Sequence, residues 1–169
     1  MFNESYEFRK SIPETITEDQ KPRRRHAYVF FNRMGRKFIV WADEFEPNDI
    51  YAIKFFPASH KKSKDKFKVM TEDADVQRTI RTCINIMLDI RKQKPTASFA
   101  ILAEPKRFSV YRKVMERFFS DIEYKHECFE NGNDNLYLMR NRAFSQAHPE
   151  IVENIDAIIK HYEFTTDAV

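Results

Sequence analysis

The chain has 169 residues, enough for one domain with a sizeable core. Charged residues make up 33% of it with both signs mixed, and the net charge of +3 is too small to specify a nucleic-acid partner by itself. Only Gly35 and Gly132 are glycines, against roughly twelve expected at an average usage of about 7%, which counts against any mechanism built on a glycine-rich phosphate loop.

Sixteen Phe, seven Tyr and one Trp supply much of the core volume, so the polar mean hydropathy is not a sign of disorder. No apolar run approaches about 18 residues and the N-terminus lacks a signal-peptide pattern, which predicts a soluble, cytoplasmic protein without a membrane partner. Cys83 and Cys128 have no C-x-x-C spacing and read as reduced, buried thiols.

In chain order, residues 6–9 (YEFR) predict a short edge strand. Residues 11–25 read as a linker, interrupted by Pro13 and Pro22 and ending in the basic run KPRRR. The aromatic and β-branched stretches 26–33 (HAYVFFNR) and 37–42 (KFIVWA) predict a hairpin, with its turn at 32–36 around Gly35. An acidic loop follows at 43–48, then a strand at 50–56 (IYAIKFF) stopped by Pro57. The polar turn 59–65 leads into 66–71 (KFKVMT), whose alternation predicts a strand and a second hairpin.

The stretch 66–119 organises the chain. Residues 71–75 (TEDAD) line up N-capping side chains. They precede a helix with Val76, Ile80, Cys83, Ile84, Met87, and Ile90 or Arg91 on one face, ended by Lys94-Pro95. SFAILA (Ser98–Ala103) is a nearly unbroken apolar run, as in a central strand covered on both faces. Past Glu104-Pro105, the spacing of Phe108, Tyr111, Val114 or Met115, and Phe118 predicts a second helix. Two strands joined by a long helix imply a right-handed crossover. Residues 124–129 and 136–140 flank ENGNDN, an Asn-Gly hairpin signal. Pro149 suits the first turn of a last helix with Ile151, Ile155, Ile158 or Ile159, and Tyr162 on its apolar face; 164–169 reads as a disordered tail. The sum is one α/β (α+β) domain over 1–169 with a sheet of about seven strands: an antiparallel meander, a helix–strand–helix unit, a terminal hairpin and an extra C-terminal helix.

This order of elements resembles the GNAT N-acetyltransferase superfamily over about residues 26–140. The passage from KFKVMTEDAD into a helix is also similar to GNAT-like proteins of phages and mobile elements. The resemblance implies a mixed sheet whose fourth strand enters a helix with the acyl-CoA pyrophosphate at its N-terminus, on a Q/R-x-x-G-x-G/A turn. Free N–H groups and the helix dipole meet the phosphates there, and glycine allows close approach. The positional equivalents are Thr71, Glu72, Asp73 and Ala74, with Arg78 and Arg81 one to two turns into the helix. This corner carries the carboxylates Glu72, Asp73 and Asp75 and no glycine. An acid at a helix N-terminus stabilises it by about 0.3–1 kcal/mol. The same charge repels a pyrophosphate by roughly 1–4 kcal/mol at ~4 Å.

The expectation is therefore a GNAT-like protein without the phosphate loop, non-catalytic, binding a protein partner and needing no cofactor. The alternative is an acyl-CoA-dependent N-acyltransferase using acetyl-CoA held by Arg78, Arg81, Lys106 and Arg107. The resemblance then implies Tyr111 as the acid that protonates the leaving thiolate, with Glu104 the best-placed carboxylate at the end of the central strand. The structural readings beside these are a packing tyrosine and a loop acid before Pro105. A second alternative is nucleic-acid binding through Arg23, Arg24, Arg25, Lys61, Lys62 and Lys64, which equally suit solvated loops. The five histidines show no metal-ligand spacing, and the aromatic richness leaves a dimer open.

Overall fold

The computed structural model describes residues 4–18, 21–46, 49–60, 76–103, 108–131, 134–151 and 155–167. Its strands are β1 (Phe8–Lys10), β2 (Glu14–Glu18), β3 (Lys21–Phe31), β4 (Lys37–Phe45), β5 (Ile50–Pro57), β6 (Ser98–Ala103), β7 (Tyr124–Asn131) and β8 (Asp134–Asn141). Its helices are α1 (Val76–Gln93), α2 (Phe108–Phe118), α3 (Arg142–Ala147) and α4 (Ile155–Asp167). The strands make one eight-stranded mixed sheet in the order β1-β3-β4-β5-β6-β8-β7, with β2 paired to the outer end of β3. Among the described residues β5–β6 is the one parallel pair, matching Ile50 with Ser98 through Ile53 with Ile101. The other pairings are antiparallel.

Alternation along the strands sends side chains to two faces. One face carries Tyr28, Phe30, Phe38, Val40, Phe99 and Met139 against Ile84 and Met87 of α1 and Val114 and Met115 of α2. Phe30 lies stacked between Tyr6 and Phe38, at ring-centroid distances of 5.8 and 5.3 Å. Each such side chain stabilises the fold by about 1.5–3 kcal/mol when fully buried. The other face carries Phe45, Ile50, Ala52, Ala100, Leu136 and Leu138, covered by Ile158, Ile159 and Tyr162 of α4.

The β3–β4 hairpin turns where the sequence predicts. Gly35 takes φ +75°, a region that favours glycine, and Asn32 Oδ1 accepts from the amides of Met34 and Arg36 at 3.0 and 2.9 Å. Several boundaries differ from the sequence reading. The expected linker 11–25 holds β2 and the first part of β3, since Glu14 to Glu18 pair in register with Arg25 to Lys21. The first edge strand sits at Phe8–Lys10, leaving Tyr6 to pack on the core. β4 runs on through Asp43, Glu44 and Phe45, where an acidic loop was expected, because that segment pairs with both β3 and β5. Among the described residues the sheet has eight strands, where about seven were expected.

The strand read at 66–71 lies outside the described residues; the parallel neighbour of β6 is β5. The second hairpin read with that strand therefore also lies outside the described residues, and β6 pairs with β5 over Ile50 to Ile53. The C-terminal helical region is two helices. α3 is capped by Asn141, whose side chain accepts from the Phe144 amide, and Pro149 falls in the turn after it. The expected disordered tail from 164 is helical to Asp167. Cys83 is buried as expected, whereas Cys128 is exposed on β7, the outermost strand. No helix among the described residues is long and apolar enough to cross a membrane.

Candidate functional site

The concentration of chemistry lies on the α4 side of the sheet. The β3–β4 register sets Arg25 directly opposite Asp43, and the β4–β5 register sets Trp41 opposite Lys54. All four side chains are buried. Arg25 grips the carboxylate with two donors, Nε to Oδ1 at 2.8 Å and an Nη to Oδ2 at 3.0 Å. Its guanidinium carbon also sits 3.7 Å from the centre of the Trp41 ring. Lys54 Nζ approaches the same Oδ2 at 2.7 Å. His161 arrives from α4, with Nε2 2.8 Å from Oδ2 and 2.7 Å from Lys54 Nζ. Lys54 donates an N–H to the Asp43 carboxylate, and His161, with its proton on Nε2, donates to the same oxygen.

Burial by itself would raise the Asp43 carboxyl. The Lys54 ammonium, the His161 hydrogen bond and the Arg25 guanidinium together outweigh it and hold the group well below the usual carboxylate range. Lys, His and Asp in mutual hydrogen-bonding reach form a set that could move a proton, yet the side chains of Asp43, Lys54 and His161 are all 0% exposed. In this state the cluster joins α4 to the sheet.

The second element is the seam where β5 and β6 part. Their ladder ends at Ile53 and Ile101, while β5 continues for 54–57. The Tyr162 hydroxyl lies at this divergence, 3.1 Å from the Ile53 carbonyl and 2.8 Å from that of Ala100. One phenolic proton is thus shared by carbonyls of both strands. Burial, then the Asp43 charge, push the Tyr162 phenol well above its ordinary value, so it stays a donor. The adjacent residues His161 and Tyr162 therefore fasten α4 at two points, a carboxylate on β4 and the seam.

The residues singled out from sequence are dispersed. Tyr111 is buried in the core on the sheet-facing side of α2. Arg78 donates to the Ser5 carbonyl at 3.3 Å and lies 4.2 Å over the Tyr6 ring. Arg81 lies 4.0 Å over Phe118, and burial together with Arg117 lowers its pKa. Those two arginines tie the N-terminal segment and α2 to α1; the buried Nη1 of Arg81 has no hydrogen-bond partner among the described residues. Thr71, Glu72, Asp73, Ala74, Glu104, Lys106 and Arg107 lie outside the described residues, as do Lys61, Lys62 and Lys64. Of the basic run, Arg25 is engaged by Asp43 and Arg23 stacks 3.7 Å over Phe45, while Arg24 is exposed.

No protein-family model, curated protein or solved structure matches this chain. The site is therefore read from its own geometry. Sequence reasoning missed Asp43, Lys54, His161 and Tyr162 as a group. One signal was present: Lys54 stands alone among apolar residues in IYAIKFF, and a lysine in a doubly covered strand requires a buried counter-charge.

Proposed function

We propose that this chain is a non-catalytic, GNAT-like binding protein whose sheet serves as a rigid support for contact with a partner protein. The resemblance is supported by the strand order, an antiparallel meander joined through one parallel pair to a terminal hairpin, with a helix on either side of β6. The observation that carries the non-catalytic reading is Tyr162, whose hydroxyl binds the carbonyls of Ile53 and Ala100 where β5 and β6 separate. In the fold that this chain resembles, an acyl group would need that opening. Here one face of it is filled by a phenol and the helix behind it. Arg78 and Arg81 support the same reading, because their guanidinium groups face Tyr6 and Phe118. The nucleic-acid alternative is weakened by the engagement of Arg25 and Arg23.

Calorimetric titration of the purified protein with acetyl-CoA tests the proposal. The expected result is no saturable heat. Saturable binding at micromolar concentration, lost on mutation of Arg78 or Arg81, would overturn it.

A further inference from the structure

A groove of about 620 Å³ opens where the end of α1, the turn before β7 and the β8–α3 junction meet. We propose that it docks an acidic segment of a partner protein; this rests on the binding-protein reading above and adds the surface and the chemistry of the partner. Three cations line it, Arg91, Lys92 and Arg142, against one carboxylate, Glu123. They stand on two elements, Arg91 and Lys92 in the last turn of α1 and Arg142 at the start of α3.

The cations are held in place by contacts that leave donors over. Arg142 Nε donates to the Asp121 carbonyl at 2.6 Å, while its terminal nitrogens and Lys92 Nζ have no partner among the described residues. Arg91 donates from one terminal nitrogen to the Phe118 carbonyl at 3.2 Å, and Glu123 stands 3.9 Å from that same nitrogen, beyond hydrogen-bonding distance. An isolated surface pair of this kind contributes little, so incoming carboxylates compete with Glu123 at small cost.

The base of the groove is fixed. The Tyr124 hydroxyl donates to the Ala97 carbonyl at 3.2 Å. Asn141 donates to the Pro95 carbonyl and accepts from the Phe144 amide, both at 2.9 Å. Selection therefore comes from the charged walls and from Ile122, a rim side chain that is 88% exposed. Donors spread over separate walls beside an apolar residue suit an extended segment with several carboxylates and one apolar side chain, better than a compact anion that needs donors converging on one point.

The test is fluorescence anisotropy of a short labelled peptide of aspartates and glutamates around one leucine, with amide chemical-shift mapping. Expected are shifts confined to the groove, affinity that falls with added salt, and roughly tenfold weaker binding for Lys92→Glu and for Arg142→Gln, with unchanged melting temperature. The proposal is overturned by no binding, by binding that neither variant alters, by shifts mapping elsewhere, or by inorganic phosphate displacing the peptide at matching concentration. Acetyl-CoA binding with the peptide response intact would remove the non-catalytic reading alone. A silent peptide with no acetyl-CoA heat would remove the groove alone.

Discussion

The two faces of the sheet are covered by different means. On the α1–α2 side, contacts such as Phe30 on Phe38 and Ile84 on the strands are apolar, and they tolerate small shifts in distance because dispersion and burial have no strict direction. On the α4 side, Ile158 and Ile159 provide apolar cover, but the position of the helix is fixed by His161 on Asp43 and Tyr162 on two carbonyls. Buried polar contacts demand particular geometry and are costly when half-made. A single helix is thereby held in one register over a seam.

The largest break in that contrast is Asp43→Ala. It leaves Arg25 and Lys54 buried without their shared carboxylate, a class of change that costs about 3–5 kcal/mol, readable by urea denaturation. A loss within the range of surface substitutions, about 0.5 kcal/mol, would contradict the role given to the cluster. The same experiment carried to low pH has a defined sign. Asp43 is depressed in the folded state, so its contribution is complete above its unfolded value near 4 and is lost progressively as the pH falls below that. Asp43→Asn removes this acid-dependent component and leaves the α1–α2 face unaffected.

A smaller effect sharpens the second attachment point. Tyr162→Phe keeps the ring and deletes the hydroxyl between Ile53 and Ala100. The expected loss is about 1–2 kcal/mol, one buried hydrogen bond with an acceptor left unsatisfied. A change of the same size as Asp43→Ala would instead place the weight of the α4 face on the seam.

Much of the apolar face was legible in the sequence. The periods of α1 and α2, the apolar run of β6, the Gly35 turn and the Asn-Gly hairpin are local signals, each readable within a few residues. The charged face was not, for reasons of distance in the chain. Arg23 and Arg25 sit in a Pro-containing basic run that reads as a linker, and only pairing with β2 and β4 makes it a strand. Asp43 follows an apolar strand and resembles a loop acid until Lys54 and His161, 118 residues further on, are brought to it. The Tyr162 hydroxyl binds backbone carbonyls, which leave no side-chain signature. α3 is the intermediate case: Asn141 three residues before Phe144 is a capping signal that a terminal strand concealed.

Hydrogen exchange of the α4 backbone amides, followed by NMR under native conditions, tests most directly whether this helix is a permanent part of the sheet. The amides of Ile158, Ile159 and Tyr162 are expected to open only with the global transition, at the same free energy as those of Val40 in β4 and Ile53 in β5. Exchange of the α4 amides through a separate opening several kcal/mol below the global value, with β4 and β5 still protected, would make α4 a removable cover and contradict a closed seam.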